Sequence, residues 1–330
     1  MSAQAPTDVV MVRPIGFVPN PMTAVDNAFQ SVDTTRSAVE LSYAAYREVT
    51  LLVDTLRAHG VSVQLFDDIG YDLPDSVFPN NWFSSHDDGR IALYPMFSPN
   101  RRGERRPDVI AALQERYAVT EVMDYSGLEG EDVFLEGTGA MVLDHEHRIA
   151  YIARSHRAHD RAVAVVCRDL GYLPVVFTTT DRSGTPIYHT NVMMSVATTF
   201  VLIGLDTIAD PAERDAVAER IAVTGRRIVD LTHEQVEAFA GNAIELTGSS
   251  GRILVLSARA FESLRADQLD VIGRDCTIVP VAVPTIELAG GSVRCMIAGI
   301  HTAARPAAVS TDSLGEDFST DGEPLAVAVH

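Results

Sequence analysis

Short apolar runs alternate with a longer helical pattern at the start of the chain. A first strand is predicted at Val9–Arg13. From Thr34 to His59, apolar residues recur at mixed three- and four-residue spacing, which is typical of an amphipathic helix. Gly60 predicts where this helix ends, because glycine commonly follows a helical C-terminus. Val61–Phe66 is the next predicted strand, so the order is strand, helix, strand.

Pairs of short strands then recur. Asn81–Ser85 and Ile91–Met96 flank an Asp-Gly dipeptide, which is a strong hairpin signal. Further pairs are predicted at Ala140–Leu143 with Ile149–Ala153, Val192–Ala197 with Phe200–Gly204, Ala243–Thr247 with Ile253–Ser257, and Pro284–Leu288 with Met296–Ile300. Helices and strands between the pairs are predicted at Ala158–Gly171, Pro174–Thr178, Pro211–Ala222, Arg227–Leu231, Ala260–Gly273 and Thr277–Val281.

The repeated unit is therefore hairpin, helix, strand, at a period of roughly 50 to 60 residues, and about five units fit. Repetition of one such unit predicts an α/β ring with a central mouth where loops converge. No stretch resembles a linker, so residues 1–302 are expected to form one domain. Residues 303–330 are acidic and polar and are expected to be mobile. The loop Asp67–Pro79 is long enough to predict a functional role, the choice of substrate.

Composition indicates a globular protein, with 46% hydrophobic and 22% charged residues. No apolar run reaches the roughly 18 to 20 residues of a membrane span. The first residues lack the pattern of a signal peptide. Three scattered cysteines exclude a disulfide framework and predict a reducing, cytoplasmic setting.

The formal net charge of −19 argues against nucleic acid or an anionic membrane surface as a partner. Such a charge suits a cationic small-molecule substrate, and it also serves solubility alone. The chain indicates no organic cofactor, and homodimer formation is left open.

Cys295 is the candidate nucleophile. It follows a Gly-Gly turn and a serine at the boundary of an element. Cys167 lies on the apolar face of a predicted helix and Cys276 opens an apolar strand, so both are interpreted as structural. Taken alone, Cys295 is more often a small buried side chain, and its interpretation as a nucleophile depends on partners.

His189 and Glu136 are the candidate partners. Both precede predicted strands, as does Cys295, and Asn81 opens one, so in a ring all four would point into one mouth. A thiolate needs a nearby base or cation, and the base needs an orienting group. A turn-capping role for Glu136 stays open. His145 and His147 flank Glu146, but no third ligand has suitable spacing, and no metal site is predicted.

Several motifs together resemble the guanidino-group-modifying, or pentein, superfamily. They are Phe17-Val-Pro-Asn-Pro-Met22, Asp26-Asn-Ala-Phe-Gln30, Phe78-Pro-Asn-Asn-Trp-Phe83, Glu136-Gly-Thr-Gly139, His189-Thr-Asn191 and Gly290-Gly-Ser-Val-Arg-Cys-Met296. The resemblance spans roughly residues 9 to 302 and is greatest to the branch of citrulline-utilisation hydrolases and arginine-deiminase-related proteins. It implies a five-bladed α/β propeller, which agrees with the repeat count.

The resemblance also implies roles. Cys295 attacks the central carbon of a guanidino or ureido group, His189 is the general acid and base, and Glu136 orients it. Arginine deiminases have aspartates where this chain has Asn81 and Asn191. An asparagine offers donors as well as an acceptor and can bond a urea oxygen. Ornithine formation from arginine or citrulline is therefore favoured over a deiminase that stops at citrulline.

For the rest of the substrate, the resemblance implies that Arg157 binds the α-carboxylate, with Arg154 as the alternate. Phe78 is a further candidate substrate-binding residue. Both arginines are also compatible with solvated strand ends. Arg294 adjoins the nucleophile, but side chains alternate in an extended segment, so a role for it is not favoured.

Four alternatives stay open. They are an arginine deiminase, a dimethylarginine-type hydrolase, an amidinotransferase, and a binding protein of the same fold such as a ribosome-associated initiation factor. The last would not need the Cys, His and Glu set, and the acidic charge does not favour a ribosomal partner.

Overall fold

The computed structural model describes residues 3–70 and 72–306. Its strands are β1 (Asp8–Arg13), β2 (Ser62–Asp67), β3 (Phe83–Ser85), β4 (Arg90–Leu93), β5 (Glu121–Asp124), β6 (Met141–Asp144), β7 (Ile149–Ala153), β8 (Leu173–Phe177), β9 (Met194–Val196), β10 (Phe200–Ile203), β11 (Arg227–Asp230), β12 (Ile244–Gly248), β13 (Gly251–Ser257), β14 (Thr277–Val281) and β15 (Ala298–Ile300). Its α-helices are α1 (Ala38–Ala58), α2 (Pro107–Arg116), α3 (Gly137–Ala140), α4 (Asp160–Leu170), α5 (Thr190–Met193), α6 (Pro211–Val223), α7 (His233–Glu237), α8 (Ala258–Ser263) and α9 (Ala266–Gly273).

Within the described residues the strands form five three-stranded sheets, which fit the five predicted units. Every sheet has one pattern: its first strand is antiparallel to the middle strand, and the third strand is parallel to the middle strand. Four sheets use consecutive strands, in the orders β3-β4-β5, β6-β7-β8, β9-β10-β11 and β12-β13-β14. The mixed α/β class is therefore confirmed.

The fifth sheet joins the two ends of the chain, in the order β15-β1-β2. Val9 in β1 is paired with Gly299 in β15. The predicted hairpin between Pro284–Leu288 and Met296–Ile300 is therefore wrong. Residues 286–289 form a 3₁₀ helix instead. Strand β15 pairs with β1, which lies near the opposite end of the chain.

Helix α1 shows how local chemistry sets an element. Ser37 caps its start in a capping box with Glu40, which satisfies backbone N–H groups that lack helical partners. The buried face includes Leu41, Val49 and Leu56. Gly60 follows at a φ of +83°, and a side chain there would collide with Ser249. The predicted helix over 34–59 is thus confirmed with a later start.

The first strand of each sheet is short and mostly buried. These inner strands make the contacts between sheets: β15 lies against β3, β6 against β9, and β9 against β12. The connections that precede the inner strands are consequently brought close together, and they carry the candidate site.

Some predicted elements differ. Helix α2 and strand β5 were not predicted, and the helix predicted over 260–273 is two helices, α8 and α9. No helix among residues 3–70 and 72–306 combines the length and apolarity that crossing a membrane requires. The tail predicted to be mobile lies outside the described residues from position 307 onward.

A histidine cluster lies where inner strands end. His86 follows β3, His145 follows β6 and His301 follows β15. The rings of His145 and His301 stack with their centroids 3.6 Å apart. His147 instead faces Asp144, with Nδ1 at 3.1 Å from a carboxylate oxygen. In the described part of the chain, no group of three or more His, Cys, Asp or Glu side chains is arranged to hold a metal ion.

This cluster predicts acid sensitivity. Burial lowers the pKa of His86 to about 3 and of His301 to about 4, and it holds the pKa of His145 well below its usual value. An unfolded histidine has a pKa near 6.5, so the unfolded chain binds more protons below that pH. The free energy of unfolding is therefore undiminished above about pH 6.5. It decreases as pH falls towards 4, by up to about 1.4 kcal/mol per pH unit for each histidine.

Urea denaturation between pH 7 and pH 4.5 measures this effect as a falling free energy of unfolding. His86→Asn should flatten the slope, whereas His156→Asn, at an exposed position, should leave it unchanged. A slope that is identical in both variants and the wild type would contradict the assignment.

Candidate active site

Five buried side chains occupy equivalent places, each just ahead of an inner strand. They are Asn81 before β3, Glu136 before β6, His189 before β9, Asn242 before β12 and Cys295 before β15. The sequence predictions included four of them. Asn242 was missed, although the equivalence of its position in the repeated unit is a signal that could have found it.

Glu136 and His189 form the central pair. His189 Nε2 lies 2.9 Å from a carboxylate oxygen of Glu136, whose other oxygen accepts a hydrogen bond from the Phe97 backbone N–H at 3.0 Å. Burial opposes ionisation of Glu136. The Arg157 charge, the hydrogen bond from His189 and the Arg101 charge nevertheless hold its pKa well below the usual range.

Burial lowers the pKa of His189 to about 4, against the opposing effect of Glu136. His189 is therefore neutral at physiological pH. An ionised carboxylate only accepts hydrogen bonds, so Nε2 carries the proton and Nδ1 keeps a lone pair. The arrangement supplies a base whose tautomer is set by Glu136.

The Cys295 sulfur lies between two side-chain amides. Asn191 Nδ2 is 3.3 Å from the sulfur and Asn242 Nδ2 is 3.2 Å from it. All three residues are buried. Two amide N–H groups are therefore aimed at the sulfur, and Asn191 Oδ1 lies 3.6 Å from it and can accept from the thiol S–H.

The glycines ahead of Cys295 allow close packing. Gly290 has a φ of +80°, and a side chain there would collide with the amide of Asn27. A Cβ on Gly291 would lie 3.0 Å from the ring of Phe78. The Gly-Gly turn that precedes Cys295 thus lets Asn27 and the ring of Phe78 pack closely against it.

Asn81 is held by its neighbours. Its Oδ1 accepts from Arg101 Nη2 at 3.0 Å, and its Nδ2 donates to Asn80 Oδ1 at 3.1 Å. Gly139 faces this amide, and a Cβ at Gly139 would come within 2.3 Å of Asn81 Nδ2 and 2.7 Å of His189 Nδ1. Asn81 and His189 therefore converge on one point.

Arg101 was missed by the sequence predictions. It is fully buried and pairs with Glu104 at 2.9 Å, with Glu136 at 3.3 Å and with Asp75 at 3.6 Å. Burial raises the pKa of Asp75, and it raises that of Glu104 to about 8 although Arg101 opposes the rise. Arg101 lies in a 3₁₀ helix over residues 99–104, and no sequence motif there indicated that its side chain would line the site.

The two predicted carboxylate-binding arginines have different positions. Arg157 is buried in the site and forms a two-point ion pair with Asp26, with N–O distances of 2.6 and 2.9 Å. It also lies over the ring of Tyr188, 4.6 Å from the centroid. Arg154 is not brought to the site, because it points outward to Glu213 at 3.3 Å.

A cavity of about 10 Å³, room for roughly one water, lies at the centre of this arrangement. Its walls include Asp75, Phe78, Asn81, Arg101, Arg157, Tyr188, His189 and Cys295. Thr23 and Asn27 cover it from the segment between β1 and α1, and Asn27 donates to the Ala289 carbonyl at 3.0 Å. The loop before β3 contributes Asp75 and Phe78, so part of the predicted functional loop does reach the cavity.

Residues 13–302 match the family model of the eukaryotic N,N dimethylarginine dimethylhydrolases. The chain belongs to this family. The dimethylarginine hydrolase family is one of the guanidino-modifying enzymes to which the motifs were similar, so that resemblance is confirmed. The chain is accordingly a hydrolase of C–N bonds.

Solved structures of other proteins have a fold similar to that of this chain. The N-terminal domain of ArgZ, an arginine dihydrolase from cyanobacteria, was solved bound to substrate. It has 17% identity and a TM-score of 0.66, over 88% of this chain and 96% of that domain. A dimethylarginine dimethylaminohydrolase adduct has 14% identity and a TM-score of 0.61, over 88% and 98% of the two chains.

A third structure, AgrE with L-arginine, has 17% identity and a TM-score of 0.69. It aligns with 90% of this chain, which spans only 41% of AgrE. No curated protein sequence matched this family member significantly. At sequence identities of 14 to 17%, these structural similarities establish a shared fold alone.

Proposed function

We propose that this hydrolase converts arginine to ornithine through a covalent adduct on Cys295, with citrulline as the intermediate. The observation that carries the proposal is the amide of Asn81. Its oxygen accepts from Arg101 and one of its N–H groups donates to Asn80, which leaves the second N–H of a nitrogen that lies on the side of Gly139 and His189. An N–H donor can bond the ureido oxygen of citrulline, which a carboxylate at this place cannot. The second hydrolysis is thereby favoured.

The charge of the site supports a cationic first substrate. Four acidic side chains (Asp26, Asp75, Glu104 and Glu136) pair with two guanidinium groups, those of Arg101 and Arg157. Acidic groups are therefore in excess in this buried region. A guanidinium neutralises that excess, whereas the neutral ureido group of citrulline does not.

The amino-acid end of the substrate has candidate partners on the same wall. Arg157 and Arg101 offer guanidinium groups to an α-carboxylate, and Asp75 offers a carboxylate to an α-ammonium group. Phe78 packs along the connecting chain. Arg154 is not part of the proposal because of its outward position.

The reaction follows in two balanced steps for each hydrolysis. In the first cycle the Cys295 thiolate bonds to the central carbon of the guanidinium and the C–N bond to a terminal nitrogen breaks. His189 Nδ1 takes a proton from another substrate nitrogen and passes it to the departing nitrogen, which leaves as ammonia. A water then gives its proton to His189 Nδ1 and bonds to the same carbon, and the C–S bond breaks with its electron pair returning to sulfur. The first cycle yields citrulline. In the second cycle the thiolate bonds to the ureido carbon of citrulline and the C–N bond to the side chain breaks, so ornithine leaves with the proton that His189 took from water. Water then releases carbamate from sulfur, and the carbamate decomposes to carbon dioxide and the second ammonia.

The same proposal includes the finer architecture. The contacts from β15 to β3 and from β6 through β9 to β12 support a ring closed as a five-bladed propeller, within one catalytic domain over residues 1–302. The described free cysteines are all buried, which suits a reducing cytoplasm.

Incubation with arginine, citrulline and N,N-dimethylarginine, each alone, tests the substrate. We expect citrulline to appear transiently from arginine, followed by ornithine with two ammonia molecules released per arginine. Citrulline that accumulates without ornithine would mean a deiminase. Dimethylamine from dimethylarginine, without turnover of arginine, would mean the substrate that the family name describes.

Asn81→Asp is the matched variant for this experiment. A carboxylate there keeps the acceptor for Arg101 but removes the donor for a ureido oxygen. Ornithine formation from citrulline should fall by at least about tenfold, while the first hydrolysis is retained, because losing a hydrogen bond to a polar substrate costs on the order of 1.4 kcal/mol or more. Equal losses in both steps would remove Asn81 from the argument.

A further inference from the structure

Asn242 makes an unusual set of contacts for a residue outside the predicted site. Its side chain is completely buried, and its Nδ2 lies 3.2 Å from the Cys295 sulfur. The same nitrogen donates to the Asn191 backbone carbonyl at 2.9 Å. Its Oδ1 is 3.4 Å from the Cys295 backbone nitrogen, so one side chain contacts the nucleophile at both its sulfur and its amide.

We propose that Asn242 is a catalytic residue of this hydrolase, whose amide N–H stabilises the thiolate of Cys295 both before attack and when sulfur departs. The proposal rests on the proposed function of Cys295 as the nucleophile. It assigns to Asn242 a role that differs from those of His189 and Glu136, which move or orient a proton.

The role follows from the charge on sulfur during the reaction. Sulfur is negative before attack, becomes uncharged while bonded to carbon, and regains its electron pair when the C–S bond breaks. A hydrogen bond from Asn242 is strongest in the two charged states. It therefore stabilises the attacking sulfur anion and makes sulfur a better leaving group in the hydrolysis step.

A purely structural role is the alternative. Asn242 connects the segment before β9 to the segment before β15, since its backbone carbonyl also accepts from the Arg294 N–H at 3.3 Å. The hydroxyl of Ser195 supplies a matched control. It donates to the Ala243 carbonyl at 2.8 Å, links the same β9 and β12 region, and has no contact with the sulfur.

The other charged and titratable groups near the sulfur are unchanged by these substitutions. Tyr188 and Arg294 interact electrostatically with Cys295. Asp75, Arg101, Arg157 and His189 line the same cavity, and Glu136 lies behind His189. A shift seen in an Asn242 variant and absent from Ser195→Ala therefore reports on the amide.

The experiment measures the alkylation rate of Cys295 by iodoacetamide from pH 5 to 10, followed on the Cys295 peptide by mass spectrometry. Asn242→Ala should move the pH midpoint upward by about one unit, and Asn242→Asp by more, because a carboxylate repels the thiolate. Ser195→Ala should not move it. Turnover of Asn242→Ala at pH 7 should be about tenfold lower, with the deficit shrinking as pH rises.

An unmoved midpoint in the nearly isosteric Asn242→Asp variant would overturn the proposal, even if Asn242→Ala fails to fold. Equal shifts in Ser195→Ala and Asn242→Ala would also overturn it and favour the structural role. A wild-type Cys295 that reacts as slowly as Cys167 would be a different failure, since it would remove the proposed function itself.

Discussion

Replacing Cys295 with serine should abolish turnover, by about 10⁴-fold or more, and leave the fold intact. A serine hydroxyl is not ionised near neutral pH, whereas the thiol is held between the donors of Asn191 and Asn242. Serine is similar in size and can keep both hydrogen bonds, so the buried site has no reason to collapse. Product formation and thermal unfolding of the same preparation measure the two effects.

Cys167→Ala is the control. Cys167 is buried in α4 and burial raises the pKa of its thiol to about 12, so it has no reactive role. The variant should lose some stability, since it creates a small cavity, and keep its activity. If Cys295→Ser retained more than about one hundredth of the wild-type rate, Cys295 would not be the nucleophile.

Glu136→Gln should lower kcat by about 10³-fold and the free energy of unfolding by about 2 to 4 kcal/mol. A glutamine can present an N–H to His189, which reverses the tautomer and removes the lone pair from Nδ1. Arg101 and Arg157 also lose a shared carboxylate at 3.3 and 3.4 Å. Steady-state kinetics and urea denaturation separate the catalytic loss from the structural one.

Glu104→Gln separates the two causes. Glu104 pairs with the same Arg101 but does not contact His189 in the described structure. It should reduce stability while lowering kcat less than about tenfold. If both variants lost activity equally, the effect of Glu136 would come from the ion-pair cluster and not from orientation of His189.

The repeated unit was predictable because it depends on local patterns. Apolar alternation and the Asp-Gly hairpin at 88–89 depend on residues that are close in sequence. The three middle units were located correctly for the same reason. The last predicted hairpin was wrong, since the pairing of β15 with β1 joins opposite ends of the chain and leaves no local pattern.

The candidate site was predictable only in part. The segments that carry Cys295 and Glu136 contain Gly290-Gly291 and Gly137, and these could be recognised. Asn242 follows Gly241 and occupies the equivalent place in its repeat, so it could also have been recognised, whereas Arg101 has no such signal. Arg157 could be named, but its two-point pairing with Asp26 could not, because Asp26 lies in an irregular segment whose path local patterns do not predict.

The sequence by itself determined the α/β class, the repeat and the residue types available for thiol chemistry, because these follow from side-chain periodicity and composition. The tertiary structure decided which side chains meet. His189 reaches Glu136 across 53 residues, and Asn191 reaches Cys295 across 104. Such contacts depend on how five sheets pack against one another. Hydrogen bonds and charge pairing then determine which side chains of the buried site carry protons, and no local stretch of sequence can specify these contacts.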